Sequence, residues 1–203
     1  IPKGTSEIRR IMRSLIERGY PIDYIEITGK SNAEVLEEID HCDFIVDEVY
    51  SDTPMAVFAT EAAFAGKPAV VGSYYADMIE YDLASELIPP SAFCHPDRLE
   101  KTIVSLVEDP ERRAMLGNAA RTYVREHWSA SVVAKHYLML IENCFPKEWL
   151  YDPHQIEYIY GCGLPKEKAR QIVGKFIRIG GLRSLCLSDK PALRKKLHKF
   201  AVM

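Results

Sequence analysis

Apolar positions along the chain follow two alternating periods. Short apolar runs bounded by turn residues predict strands over residues 24–28, 43–46, 68–71 and 92–94. Apolar residues at helical spacing, with start and stop signals, predict helices over residues 4–19, 31–41, 55–65, 76–83, 98–108, 109–126, 131–143, 165–178 and 191–200. Because strands alternate with helices, we expect an α/β fold with a parallel sheet covered by helices on both faces.

Local signals define several helix ends. Ser31 and Glu34 have the spacing of a capping box, and Asp109-Pro110 reads as an N-cap followed by a first-turn proline. The helix over residues 55–65 is apolar on nearly every face, so we expect it to be buried, with Gly66 at its end. Residues 1–145 are predicted to form one domain, and residues 146–203 a linker and a helical, basic C-terminal extension.

Composition supports a globular protein. The 203 residues are 47% hydrophobic and 27% charged, and no apolar run approaches membrane-spanning length. The five cysteines include no C-x-x-C pair, which argues against a disulfide framework or a zinc site and favours reduced thiols in a cytoplasmic protein. The chain begins without an initiator methionine and enters a helix at once, so we expect it to be cut from a longer protein.

Charge is divided unevenly along the chain. Residues 164–203 contain eleven basic and two acidic side chains, a net charge of +9, so residues 1–163 carry −12 of the overall −3. This asymmetry predicts an anionic partner for the extension. The helix over residues 191–200 combines basic and apolar residues and is a candidate for peripheral contact with an anionic membrane; the alternative is a solvated face packed on another domain.

Glu61 is the acid that stands out, because it lies within the apolar helix over residues 55–65. A buried carboxylate needs a partner, which could be the diol of a ribose or a Lys or Arg of the fold itself. The loop before this helix would present unpaired amides at the helix N-terminus, where anionic phosphates are favoured. From the residues alone, both partners remain open.

Four segments resemble the C-terminal domain of GT-B glycosyltransferases, notably glycosyltransferase family 4. Glu61-Ala-Ala-Phe-Ala-Gly-Lys-Pro resembles the family's E-A-x-A-x-G-K-P signature, and Lys3-Gly4 resembles the K-G at the start of its first helix. Ser31-Asn32 to Asp43 resembles the segment before its A-D strand, and Asp109 to Gly117 resembles its D-P-E-x-R-x-x-L-G helix. The resemblance covers about residues 1–143, in the family's order and spacing.

The resemblance implies the Rossmann-like, donor-binding half of a two-domain enzyme. Such an enzyme transfers a hexose from a nucleotide-diphosphate-sugar, such as a UDP-sugar or GDP-sugar, to an acceptor, with retention of anomeric configuration. The partner would be an N-terminal domain of the same protein, and neither a cofactor nor a metal is implied. A nucleotide-sugar epimerase of the same fold, or a non-catalytic α/β domain with a nucleic-acid-binding tail, are the alternatives.

Carried over to this chain, the family's site residues are few. Glu61 would bind the ribose and Lys3 the diphosphate, while the amides of Ala56 and Val57 would face the phosphates or the sugar. Gly29 and Lys30, at the end of the predicted strand over residues 24–28, would lie near the base. No catalytic residue is assigned.

The chain departs from the family pattern at one acid. Many members have an E-x7-E pair, but the first position is Thr53 here; either the adjacent Asp52 takes that place or the acid is absent. The histidines lack the spaced partners of a metal site or triad, and Tyr74-Tyr75 is better explained by aromatic packing than by ligand stacking.

Overall fold

The computed structural model describes residues 3–150 and 166–202. The helices are α1 (Thr5–Glu17), α2 (Asn32–His41), α3 (Val57–Ala65), α4 (Ile79–Asp82), α5 (Leu99–Glu108), α6 (Pro110–His127), α7 (Ala130–Ile141), α8 (Lys166–Gly180) and α9 (Pro191–Val202). The strands are β1 (Ile45–Val46), β2 (Ala69–Gly72) and β3 (Ala92–Cys94), and short 3-10 turns cover Ser85–Leu87, Pro96–Arg98, Lys147–Trp149 and Leu182–Leu185. Much of the predicted linker, together with Cys162 and Pro165, lies outside the described residues.

The three strands form one parallel sheet in the order β1-β2-β3. Backbone pairing continues past the end of β1, since Gly72 donates to the carbonyl of Glu48 at 2.7 Å and Ser51 donates to that of Gly72 at 2.8 Å. On the other side of this segment, the N–H of Val49 donates to the carbonyl of Lys3 at 3.0 Å. The chain start is therefore fixed beside the carboxyl end of β1.

Helices cover both faces of the sheet, as predicted, and alternate strand residues supply two separate cores. Val70 of β2 faces a core shared with α1 and α5, whose buried side chains are Ile8, Ile11, Met12, Leu15, Leu99, Ile103 and Leu106. Val71, one residue later, faces a core shared with α2, α3 and α6, whose buried side chains are Ile39, Ala59, Ala62, Ala63, Ala120 and Val124. This alternation follows from the twofold period of a strand.

Two glycines of the family-like segments are explained by packing. Gly4 precedes α1 with a φ of +74°, and a Cβ there would lie 2.6 Å from Cβ of Val49. Gly117, inside α6, lies so close to the turn after α3 that a Cβ would lie 2.0 Å from the carbonyl oxygen of Gly66. Both positions require the absence of a side chain, so these motif glycines contribute to the fold itself.

Polar residues of the segment from Asp109 to Gly117 also hold helices in place. Asp109 caps α6 by accepting a hydrogen bond from the N–H of Arg112 at 2.8 Å, as its sequence predicted. Arg113 donates to the carbonyls of Leu106 and Val107, the last turn of α5. The capping box of Ser31 at the start of α2 is likewise confirmed.

The predicted strand over residues 24–28 is wrong. These residues are assigned no strand, and they run beside α1 instead of joining the sheet next to β1. Glu26 accepts hydrogen bonds from both Nε and Nη2 of Arg9 in α1, at 2.6 and 2.5 Å, and the side chain of Tyr24 packs on the α1–α5 core. The Arg9–Glu26 ion pair and the burial of Tyr24 therefore hold residues 24–28 against α1, although the apolar run of this segment predicted a strand.

The expectation that α3 is buried on nearly every face is also wrong. Ala59, Ala62 and Ala63 are fully buried, but Val57 is 76% exposed and Phe64 is 41% exposed. Alanines are small enough to let α3 approach α6 closely, so a single face of the helix meets the core. The side chain of Glu61 is half-buried on the margin of that face.

The described part of the extension, residues 166–202, is called the tail below. Helices α8 and α9 pack against each other across the turn formed by residues 182–185. Ser184 closes this turn, since its hydroxyl lies within hydrogen-bond distance of the carbonyls of Phe176 and Gly181 at 2.9 and 2.8 Å. Within the described ranges, no helix is both long enough and apolar enough to cross a bilayer.

Candidate anion-binding edge of the sheet

Charged residues meet where β1 ends. Asp47 and Glu48 directly follow the strand, and the ammonium of Lys3 lies 2.9 Å from Oε1 of Glu48. This hydrogen bond raises the pKa of Lys3, with the neighbouring charge of Asp47 adding to the effect. The Lys3 side chain is 61% exposed and that of Glu48 19% exposed, so the ion pair forms the surface of this edge.

Asp47 lies beneath that ion pair and is 8% exposed. Burial raises the pKa of its carboxyl to about 6, and the charge of Glu48 acts in the same direction, while Lys3 and the backbone N–H of Ala59 oppose the rise. Its Oδ2 atom has no hydrogen-bond partner among the described residues. Asp47 therefore links the Lys3–Glu48 pair to the first turns of α3, and holds a carboxylate in poorly solvating surroundings.

The N-terminus of α3 opens onto the same edge. Its N-cap residue is Ala56, whose methyl side chain cannot accept a hydrogen bond from the first turn. In the preceding loop, the buried Ser51 accepts from the N–H of Thr53 at 3.2 Å and donates to the carbonyl of Thr53 at 2.8 Å. A polar turn thus leads into a helix start whose N-cap residue supplies no side-chain cap, although the N–H of Ala59 in the first turn already acts on Asp47. Helix N-termini bind anions in many proteins. Val57 and Asp52 are exposed beside it.

Glu61 lies on α3 and contacts the start of α2. Its Oε1 accepts a hydrogen bond from Nδ2 of Asn32 at 2.8 Å, so within the described part of the chain its partner is an amide and not the Lys or Arg that the sequence left open. Lys30, two residues before Asn32, pairs with Glu38 at 2.6 Å, and Gly29 has a φ of +68° and is exposed. Although the strand expected before Gly29 is absent, the structure brings this loop and Glu61 to the same side of the fold.

Aromatic rings border the edge beyond β2 and β3. Tyr74 stacks on Tyr50 with ring centroids 5.8 Å apart, and its ring meets the edge of His95 at 5.1 Å. Burial is the main cause that raises the pKa of Tyr74. The packing interpretation of Tyr74 is confirmed, and the fully buried Ser73 beneath it donates its N–H to the carbonyl of Cys94 at 2.8 Å.

Sequence reasoning did not single out Asp47, Glu48 or Tyr50. The available signal was their position, because polar residues directly after a buried strand of a parallel sheet lie at its ligand-binding edge. The described residues contain no group of three or more His, Cys, Asp or Glu side chains arranged to hold a metal ion. At this edge the chemistry is therefore that of the ammonium of Lys3, the acids Asp47, Glu48 and Asp52, a helix N-terminus and aromatic walls.

A separate groove of about 350 Å³ lies on the outer side of α1. Its walls are Arg9, Arg13, Ile16, Glu17, Tyr24 and Glu26. The Arg9–Glu26 pair neutralises much of its charge and belongs to the contact that holds residues 24–28 against α1. It lies away from the carboxyl edge of the sheet and contains none of the predicted site residues.

Comparison with known protein families, with curated proteins and with solved structures finds no match to this chain. Only the geometry of the edge and the sequence motifs therefore bear on function.

Proposed function

We propose that the chain is the donor-binding domain of a GT-B glycosyltransferase, with a Rossmann-like fold, and that it binds a nucleotide-diphosphate-sugar at the carboxyl edge of the sheet. One observation carries the proposal: α3 connects the features that the motifs suggest. Its first turns adjoin Asp47 and hence Lys3, and Glu61, one turn further on, contacts Asn32 beside Gly29 and Lys30. A ligand along α3 would meet a cation, a helix N-terminus and a carboxylate in that order.

The proposed contacts follow this order. The diphosphate lies at the N-terminus of α3, near the amides of Ala56 and Val57, with Thr53 and Asp52 in the adjoining loop. Glu61 exchanges its hydrogen bond from Asn32 for those of the two ribose hydroxyls, which keeps the carboxylate satisfied. The base then lies towards Gly29 and Lys30. A helix N-terminus and a cation together stabilise the diphosphate as it leaves in sugar transfer.

Electrostatics add a condition to this proposal. Lys3 is already paired with Glu48 and lies near Asp47, so the edge carries more negative than positive charge when both acids are ionised. A diphosphate must therefore separate Lys3 from Glu48, and the helix N-terminus must supply part of the attraction. We expect affinity for a bare phosphate to be low, and the nucleoside contacts to contribute most of the binding free energy.

Replacement of Glu61 by Gln tests the ribose contact. Hydrogen bonds to a charged group contribute about 1.5–3 kcal/mol, so Glu61→Gln should weaken binding of UDP or GDP about tenfold or more in calorimetric titration. Glu126→Gln, an exposed acid on α6, is the matched control and should leave binding unchanged. If the folded Glu61 variant binds as tightly as the parent, Glu61 is a structural acid paired to Asn32, and the proposed site is wrong.

A further inference from the structure

An apolar stripe on α8 faces solvent. Ile172, Phe176 and Ile179 recur at helical spacing on one side of the helix and are 37%, 57% and 77% exposed. The opposite side of α8 meets α9, and its residues Val173 and Ile177 are half-buried there. A Cβ added to Gly174 would lie 3.6 Å from the carbonyl oxygen of Ala201 in α9. The tail therefore pairs its two helices through one face of α8 and leaves a second apolar face uncovered.

The apolar residues of α9 are arranged differently. Leu193, Leu197 and Phe200 are half-buried, and the guanidinium of Arg170 in α8 lies 5.6 Å from the centre of the Phe200 ring. The sequence-based hypothesis of a membrane-binding helix over residues 191–200 stays a prediction, but the apolar side of that helix packs within the tail. The apolar side chains of α9 in this contact are used for packing, whereas the row formed by Ile172, Phe176 and Ile179 of α8 remains exposed.

Basic residues accompany the stripe. Lys168 and Lys175 are exposed and, at helical spacing, lie along one margin of the Ile172–Phe176–Ile179 row. Arg183, in the turn that follows α8, is also exposed. Residues 164–203 carry a net charge of +9, so the uncovered apolar row lies within a strongly positive part of the chain.

We infer that α8 lies on an anionic membrane surface, with Ile172, Phe176 and Ile179 inserted among the lipids and the lysines at the level of the head groups. A basic amphipathic helix binds such a surface through both apolar burial and charge. A nucleic acid would engage the lysines but would leave the apolar row in water, so the combination favours lipid. This inference is independent of sugar transfer.

The test is sedimentation of the full chain with vesicles of phosphatidylcholine, alone or with about 30 mol% phosphatidylserine. We expect binding to the anionic vesicles only. Phe176→Ser should weaken it tenfold or more because an inserted ring is lost. The Lys168→Gln and Lys175→Gln changes should each weaken it roughly fivefold. Because these side chains are exposed, circular dichroism should show a fold unchanged from the parent.

The matched control is Ile141→Ser, which removes a 78% exposed apolar side chain from α7 and should leave vesicle binding intact. Equal binding to neutral and anionic vesicles, or full binding by Phe176→Ser, overturns the inference. Salt-dependent binding to nucleic acid without vesicle binding would also overturn it. A dimer that Phe176→Ser dissociates, in a chain that ignores vesicles, would assign the stripe to a second copy.

Discussion

The sheet core of the body of the chain (residues 3–150) and helix α8 of the tail use apolar side chains in opposite ways. In the body, α1 and α5 on one face and α2, α3 and α6 on the other close two cores over a three-stranded sheet. In the tail, Ala169 is buried, whereas Ile172, Phe176 and Ile179 remain in solvent. The charges also differ in sign, with −12 over residues 1–163 and +9 over residues 164–203.

This difference indicates two kinds of role. A sheet covered on both faces satisfies its own apolar residues, and the carboxyl edge of a parallel sheet is the place where such folds generally bind small ligands. A two-helix tail buries little of its apolar surface, so the apolar row of α8 is left for a partner to cover. Body and tail should therefore respond differently to the same substitution.

The largest contrast should come from isoleucine truncation. Ile103 of α5 is fully buried, so Ile103→Ala should lower the free energy of unfolding by about 2–5 kcal/mol. Ile179 of α8 is 77% exposed, so Ile179→Ala should change it by less than about 0.5 kcal/mol. Denaturant unfolding followed by circular dichroism measures both, and comparable losses at the two sites would contradict the division into a closed body and an open tail.

Glycine-to-alanine changes should give opposite signs in the two regions. At Gly117, a Cβ would lie 2.0 Å from the carbonyl oxygen of Gly66, so Gly117→Ala should destabilise the body by about 3 kcal/mol or more. At Gly174, a Cβ would lie 3.6 Å from its nearest neighbour, the carbonyl oxygen of Ala201, so there is room for it. The higher helix propensity of alanine should therefore stabilise α8 by about 0.5–1 kcal/mol. A stable Gly117→Ala variant with an unchanged melting temperature would show that α3 and α6 do not approach this closely.

Sequence patterns predicted the helices well because most of them have a clear apolar face or a side-chain cap. The capping box at Ser31 and the N-cap at Asp109 are local features, complete within four residues, and both are confirmed. The strand over residues 24–28 failed because its alternative, the hydrogen bond that Arg9 donates to Glu26, joins residues 17 apart in the chain. Apolar composition alone cannot distinguish strand pairing from packing on a neighbouring helix.

The candidate edge was only partly predictable for the same reason. Glu61 was identified as an unusual acid, but its hydrogen bond comes from Asn32, 29 residues earlier in the chain. Lys3 was identified by resemblance, whereas its pairing with Glu48 depends on how the chain start lies beside β1. Motif residues such as Gly117 meanwhile proved to be packing positions.

The acidic character of the body can be probed at Asp47. Its pKa is about 6 in the folded protein against 3.8 ordinarily, so the folded state holds the proton more tightly. The contribution of Asp47 to the free energy of unfolding is therefore greatest below about pH 4 and falls as the pH rises towards and through 6. Asp47→Asn should remove this loss and stabilise the protein by about 2–3 kcal/mol at pH 7.5, with little effect near pH 4.

Urea unfolding of the parent and Asp47→Asn at both pH values measures this difference. Asp40→Asn, an exposed acid on α2, is the control and should show no comparable gain at pH 7.5. A gain for Asp47→Asn that is equal at the two pH values would mean that the carboxyl does not titrate in this range.

A smaller effect is expected when Lys3 is released from its partner. Glu48→Gln removes the carboxylate that holds the ammonium, so the cation becomes available to an anion at the edge. We expect nucleoside diphosphate to bind about fivefold more tightly to this variant in calorimetric titration. Glu100→Gln, which removes the partner of Arg18 instead, should leave the affinity unchanged. Weaker binding to Glu48→Gln would indicate that Glu48 itself contacts the ligand.

Binding of a nucleotide diphosphate along α3, from Lys3 to Glu61, can be tested with the variant Lys3→Ala. Calorimetric titration of this variant with a nucleoside and with its diphosphate separates the two ends of the site. We expect weaker binding of the diphosphate and unchanged binding of the nucleoside, because only the phosphate contact is removed. Lys135→Ala, which removes an exposed lysine from α7, should affect neither. Equal affinity of parent and Lys3→Ala for the diphosphate, in a folded variant, would contradict this mode of binding.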